Sequence, residues 1–274
     1  MTKKSLIKYG GLLALLLFLS GSCPAIIQAY QRVVVFNTAV SPILKQLNLD
    51  SRIVGVTFND EVYSKTTKIG SHLSPNIELV KALQPDLIIA GSKRAYSDEL
   101  NERLGADLFR YDPRTLEQIL EAIHRLGVIF QKKDEARQLI TDLKHKLSQV
   151  QKPEREVFVV YEVSQQPLKL AGQQNIITSI IKAAGGINII DISDKHVLLS
   201  PEMILVQNPD LYIYQNGPMN KNPVPPRERN YFKKLKSTVW EVDQLQFTRP
   251  GLNAFDAVLA LNQKIFEQLG VKKF

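Results

Sequence analysis

Short continuous apolar runs alternate with amphipathic stretches along most of the chain. Arg32-Val33-Val34-Val35-Phe36 reads as a strand that ends at Asn37-Thr38-Ala39. Ser41-Pro42-Ile43-Leu44 opens a helix, with Pro at an early position behind a Ser cap and Ile43, Leu44 and Leu47 on its apolar face. Arg52 to Thr57 is a second strand, Pro75 to Leu83 a short helix broken by Gln84-Pro85-Asp86, and Leu87-Ile88-Ile89-Ala90 a third strand. A helix over 97–104 and a strand over 107–111 follow. Strands that are apolar on both faces and alternate with helices predict a parallel βαβ sheet.

From Thr115 to about Gln151 the apolar positions keep helical spacing: Leu116, Ile119, Ile123 and Leu126, then Ala136, Leu139, Ile140, Leu143 and Leu147. Gly127 and Gln131-Lys132-Lys133 mark a break. Beyond this bridge the first pattern returns. Glu156 to Tyr161 is a strand, and Ile176 to Ala184 a helix stopped by Gly185-Gly186. Pro201 to Val206 is a short helix broken by Gln207-Asn208-Pro209-Asp210, Leu211 to Tyr214 a strand, and Asn253 to Leu269 an amphipathic helix.

One design occurs once in each half. Glu78 lies in a short helix stopped by Pro85-Asp86 before a buried strand, and Glu202, 124 positions later, in one stopped by Pro209-Asp210. This is a repeat at domain scale.

The first residues change the picture in another way. Lys3, Lys4 and Lys8 precede an apolar run of about ten residues, too short for a stable span, and then small residues and Cys23. This predicts an exported chain whose leader is removed. Leu19-Ser20-Gly21-Ser22-Cys23 is similar to a lipobox, although the leucine lies four rather than three residues before the cysteine; cleavage after Ala29 is the alternative. Lipidation at Cys23 therefore stays open. Cys23 is the only cysteine, so a processed chain has no internal disulfide and no cysteine metal site. About 245 residues remain, enough for two lobes. The formal charge of +8 falls to about +5 once the three leader lysines leave, and the basic residues are dispersed, which disfavours nucleic-acid binding. No Gly-x-Ser-x-Gly, His-Glu-x-x-His or phosphate-loop motif points to catalysis. An exported enzyme of unknown reaction is the rival of a different class.

Several blocks, taken in order, resemble the periplasmic binding proteins of the siderophore, vitamin B12 and haem importers. They are Ile69-Gly70 with Pro75 to Glu78, Leu83 to Ile88, Asp112-Pro113 with Leu116 to Ile119, Ala171-Gly172 with Ala184 to Ile189, Leu199 to Glu202, and Arg249-Pro250-Gly251. The resemblance implies an α/β fold of two lobes with mainly parallel sheets, joined by a long rigid bridging helix. The expected divisions are a leader over 1–29, lobes over 30–112 and 153–274, and a bridge over 113–152. It implies a monomer with no intrinsic cofactor that delivers a metal chelate, first of all a ferric siderophore, to an ABC permease dimer with its cytoplasmic ATPase. Haem, cobalamin or an oxyanion such as molybdate are the alternative ligands. By the same resemblance Glu78 and Glu202 would dock one on each permease half.

In open α/β sheets ligands bind beyond the carboxyl ends of the strands. This rule selects Asn37, Thr38, 58–63, His72, Lys93, Arg94 and Tyr96 from the first half. From the second it selects Tyr161, Glu162, Gln173, Gln174, His196, 215–220 and Arg249. The expected ligand-binding set is His72, Lys93, Arg94, Tyr96, Tyr161, Glu162, Gln215 and Arg249. Lys93, Arg94 and Tyr96 would suit an anionic chelate with flat parts, and the planar fork of Arg249 suits a carboxylate. His72 or Tyr96 are the candidates for contact with a metal.

Overall fold

The computed structural model describes residues 29–270. The leader and Cys23 lie outside the described residues. Four strands, β1 (Val33–Val35), β2 (Ile53–Val56), β3 (Leu87–Ala90) and β4 (Asp107–Arg110), form a wholly parallel first sheet in the order β2-β1-β3-β4. Helices α1 (Ser41–Gln46), α2 (Ile77–Ala82) and α3 (Asp98–Leu104) connect them. The apolar runs are explained by burial on both faces. Val33, Val35, Leu87 and Ile89 pack with Ile43 and Leu44, while Val34, Ile88 and Ala90 pack with Val80 on the other side. Ser41 departs from expectation. It is the first helical residue rather than the cap, and its hydroxyl donates to Asp60 at 2.5 Å.

The resemblance implies one long rigid bridging helix, but the structure has two helices packed on each other, α4 (Leu116–Ile129) and α5 (Lys133–Ser148). The break falls at 130–132, where Gln131 takes a left-handed φ of 58°. Gly127 is required there: a Cβ on it would lie 2.4 Å from the Ala136 Cβ. Glycine thus lets the two helices meet closely at their turn.

The second sheet contains β5 (Phe158–Ser164), β6 (Lys169–Ala171), β7 (Ile187–Asn188), β8 (His196–Leu198), β9 (Leu211–Asn216) and β10 (Thr238–Asp243). Its order is β10-β9-β5-β6-β8, with β7 beside β5. β5, β9 and β10 run parallel; β6 is antiparallel to both β5 and β8. Helices α6 (Ile176–Ala183), α7 (Pro201–Gln207), α8 (Gln244–Thr248) and α9 (Asn253–Leu269) complete this half. One apolar core runs from β1 through the helix pair to α9.

The repeated Pro-Asp blocks do the same work in each sheet. The Asp86 carboxylate accepts from the backbone N–H of Gln31 and Arg32 just before β1, and its carbonyl accepts from Asp107 at the start of β4. The Asp210 carboxylate accepts from the N–H of Phe158 at the start of β5, and its carbonyl from Thr238 at the start of β10. Gln84 and Asn208, two residues before each Asp, both take φ 45°. Each Asp satisfies donors at the starts of the two strands that flank its own following strand, β3 or β9, so the duplicated sequence fixes duplicated registers.

Candidate functional site

The segments that follow β1, β3 and β4 meet those that follow β9 and β10 across a cleft between the two sheets. Two adjoining cavities, of about 240 and 390 Å³, fill it and share Asn37, Thr38, Met219, Gln244 and Arg249 in their walls. The cleft has a fixed floor. The Tyr111 hydroxyl donates to the Pro250 carbonyl at 2.6 Å, joining the two halves. Gly251 lies so close to the first half that an added Cβ would stand 2.6 Å from the Ala39 carbonyl oxygen.

Arg249 borders both cavities and is half-buried. Its carbonyl is held by the Gly251 N–H at 2.8 Å and the Asn253 side chain at 3.1 Å. Its guanidinium makes no hydrogen bond or ion pair among the described residues. A positioned, unpaired guanidinium on a concave wall has the chemistry to receive an anionic group.

The smaller cavity also carries Asp112, Arg114, Lys195, His196 and Gln215. Arg114 pairs with Asp112 at 2.8 Å and donates to the Gln174 carbonyl at 3.3 Å. Burial, and then the Arg114 charge, hold the Lys195 pKa below its ordinary value, against a smaller opposing effect of Asp112. His196 is lowered by burial and then by Lys195, Lys169 and Arg114. The larger cavity is lined by His72 and Tyr96 from the first half and by Met219 from the second. Met219 is held by its backbone N–H, which donates to Gln244 at 2.7 Å.

Of the expected ligand set, His72, Tyr96, Gln215 and Arg249 border the cleft. Gln215 is nearly spent: it donates to the Val163 carbonyl and accepts from the Tyr161 hydroxyl. Tyr96 is 2% exposed, packs its ring tilted against Phe36 with centroids 4.9 Å apart, and donates to Asn101 at 3.2 Å. Burial pushes its pKa up to about 12, which opposes a phenolate ligand at neutral pH.

The other members lie elsewhere. Lys93 and Arg94 border neither cavity and are exposed. Lys93 pairs with Asp98 at 2.7 Å, in the first turn of α3. Tyr161 and Glu162 are fully buried inside β5, which runs to Ser164 rather than stopping at Tyr161. Glu162 accepts from Arg229 at 2.5 and 2.9 Å and from the Tyr212 hydroxyl at 2.5 Å. Its carboxylate is a core ion pair and does not reach the cleft. Arg114, Lys195 and Gln244 were not singled out by the strand-end rule. Gln244 sits directly beyond β10, a strand that no apolar run announced, Arg114 lies four residues past β4, and Lys195 precedes an antiparallel strand, to which the rule does not apply.

Among the described residues no group of three or more His, Cys, Asp or Glu could hold a bare metal ion, and no helix is long and apolar enough to cross a membrane. Glu78 and Glu202 are exposed in the first turns of α2 and α7. The residue's own backbone N–H, and then the Ser200 hydroxyl, hold the Glu202 carboxyl below its ordinary value.

A model of the family described as periplasmic binding protein matches residues 33–227. The high-affinity heme uptake system protein IsdE of Staphylococcus aureus (strain Newman) is 29% identical over 161 residues, 55% of this chain and 54% of that protein. The chain thus spans about half the length of the curated relatives it matches. An ABC transporter substrate-binding protein from Listeria monocytogenes EGD-e has a TM-score of 0.74 at 20% identity, covering 85% of this chain and 97% of that one. S. aureus IsdE complexed with heme gives 0.74 at 21% identity over 86% and 99%. The periplasmic vitamin B12 binding protein BtuF of Vibrio cholerae gives 0.68 at 22% over 88% and 99%. The structural likenesses agree with the two-sheet fold, and the family match runs from β1 to beyond β9, well over half of the chain: this chain belongs to the periplasmic binding protein family.

Proposed function

We propose that this protein is the exported substrate-binding component of an ABC importer and that it captures an anionic metal chelate in the cleft between its lobes. The observation that carries this reading is Arg249, an unpaired guanidinium held between two adjoining cavities. Glu78 and Glu202 support the importer role. They occupy equivalent places in the two repeats and are exposed, as anchors for a two-fold permease must be.

Among chelates, haem fits the walls better than the ferric siderophore expected from the sequence. His72 and Met219 line one cavity from opposite lobes, and an imidazole with a thioether is an axial pair that haem iron accepts. The curated relative named above is a heme uptake protein, which agrees. Lys93 and Arg94, expected to meet an anionic chelate of any kind, border neither cavity. The test is titration of the purified protein with ferric protoporphyrin IX. A Soret band that sharpens and shifts with one equivalent, and weakens in His72→Ala and Met219→Ala, supports haem. A charge-transfer band with ferric siderophores and no Soret change restores the siderophore. Tight molybdate binding with neither response refutes the chelate class.

A further inference from the structure

The smaller cavity holds more positive charge than its own residues neutralise. Arg114, Lys195 and Arg249 face it, and Asp112 is the one carboxylate in its wall. That carboxylate is already taken by Arg114 at 2.8 Å. Lys195 and His196 have no hydrogen-bonding or ion-pair partner for their side chains among the described residues. We propose that Arg114, Lys195 and His196 form a second anion subsite in the wall of the smaller cavity, beside Arg249, which borders both cavities, so that the ligand carries at least two anionic groups, such as carboxylates.

The subsite is built rather than fortuitous. The Lys195 carbonyl accepts from the Asn175 side chain at 3.1 Å and from the Gly172 N–H at 3.3 Å, which fixes the backbone beneath the ammonium. His196 is the first residue of β8 and pairs in register with Ala171 of β6. Arg114 is tethered to Gln174, immediately before the Asn175 cap of α6. Three donors, one from the β4–α4 loop and two from the second lobe, thus line one wall with their main chains held.

The electrostatics point the same way. Burial, and then repulsion from Arg114 at Lys195 and from Lys195, Lys169 and Arg114 at His196, push both groups away from their charged forms. An anion seated between them would offset the repulsion, so its binding energy includes relief of that repulsion. The two neighbouring cavities then divide the work. The larger one, with His72 and Met219, takes the metal and its flat ligand, and the smaller one takes an acidic arm.

This inference rests on the chelate reading above, and its test separates the two. Ferric protoporphyrin IX and its dimethyl ester, whose acidic arms are neutral, are titrated into wild type and Lys195→Gln. The subsite predicts that Lys195→Gln weakens the free acid about tenfold, the effect of one charged hydrogen bond, and leaves the diester within about twofold. Equal losses for both porphyrins, or no loss for either, overturn it. If neither porphyrin binds wild type, the haem reading fails, and iron(III) citrate is compared in the same two proteins by calorimetry. A tenfold loss there upholds the subsite, and no loss or no binding overturns it. Arg114→Gln, with thermal unfolding as a control for folding, must weaken the same acidic probe.

Discussion

Replacing Arg229 by Met separates a structural role for Glu162 from a ligand-binding one. The Glu162 carboxylate is 0% exposed and the Arg229 side chain 2%; the guanidinium supplies two of its hydrogen bonds, at 2.5 and 2.9 Å. Arg229→Met leaves the carboxylate in the core with only Tyr212 at 2.5 Å and a long bond from Asn220 at 3.4 Å. Removing one partner of such a pair costs about 3–5 kcal/mol, because a buried charge is left uncompensated. For a chain of this size that lowers Tm by roughly 6–20 °C. The double variant Glu162→Leu with Arg229→Met removes both charges and should recover most of the loss. Thermal and urea unfolding of ligand-free protein measure the effect. A single variant with Tm within about 2 °C of wild type and a large loss of ligand affinity would refute the core assignment and return Glu162 to the ligand.

Three further outcomes follow from the same geometry. Glu78→Ala combined with Glu202→Ala should leave ligand affinity unchanged and impair uptake in a reconstituted importer; undiminished transport would sink the docking role. Gly251→Ala should destabilise by about 1–3 kcal/mol, read by urea unfolding, since its Cβ would stand 2.6 Å from the Ala39 oxygen across the lobes. His196 is held below its ordinary 6.5 by burial and neighbouring cations, so between those two values the unfolded chain binds more protons than the folded one. Its contribution to stability is full above pH 6.5 and is lost as pH falls, and the drop in Tm from pH 7 to pH 5 should be smaller in His196→Gln than in wild type.

The lobes were legible because the repeat carries its own physics. The Pro-Asp blocks stop a helix, and each Asp then anchors two strands of a parallel sheet, so one short pattern encodes a break and a register. The bridge was legible from helical periodicity, and its division from Gly127 and Gln131. The site was read less well, for two physical reasons. Strand ends decide which side chains reach a cleft, and β5 runs three residues past Tyr161, to Ser164. That keeps Tyr161 and Glu162 inside the sheet, with Glu162 on the same face as Val160. Loop cations choose among acids that periodicity cannot weigh, and Lys93 turned to Asp98 instead of the cleft. Conversely Lys195 enters the cavity wall through an antiparallel strand pair, β6 and β8, that no apolar run announced.

The account stands most directly on Arg249. Calorimetric titration of wild type and Arg249→Ala with ferric protoporphyrin IX, after matched unfolding curves establish equal folding, measures its part in capture. An unpaired guanidinium that meets a ligand carboxylate predicts a loss of about tenfold to a hundredfold in affinity with Tm unchanged. Equal affinities for the two proteins would contradict capture of an anionic chelate in this cleft.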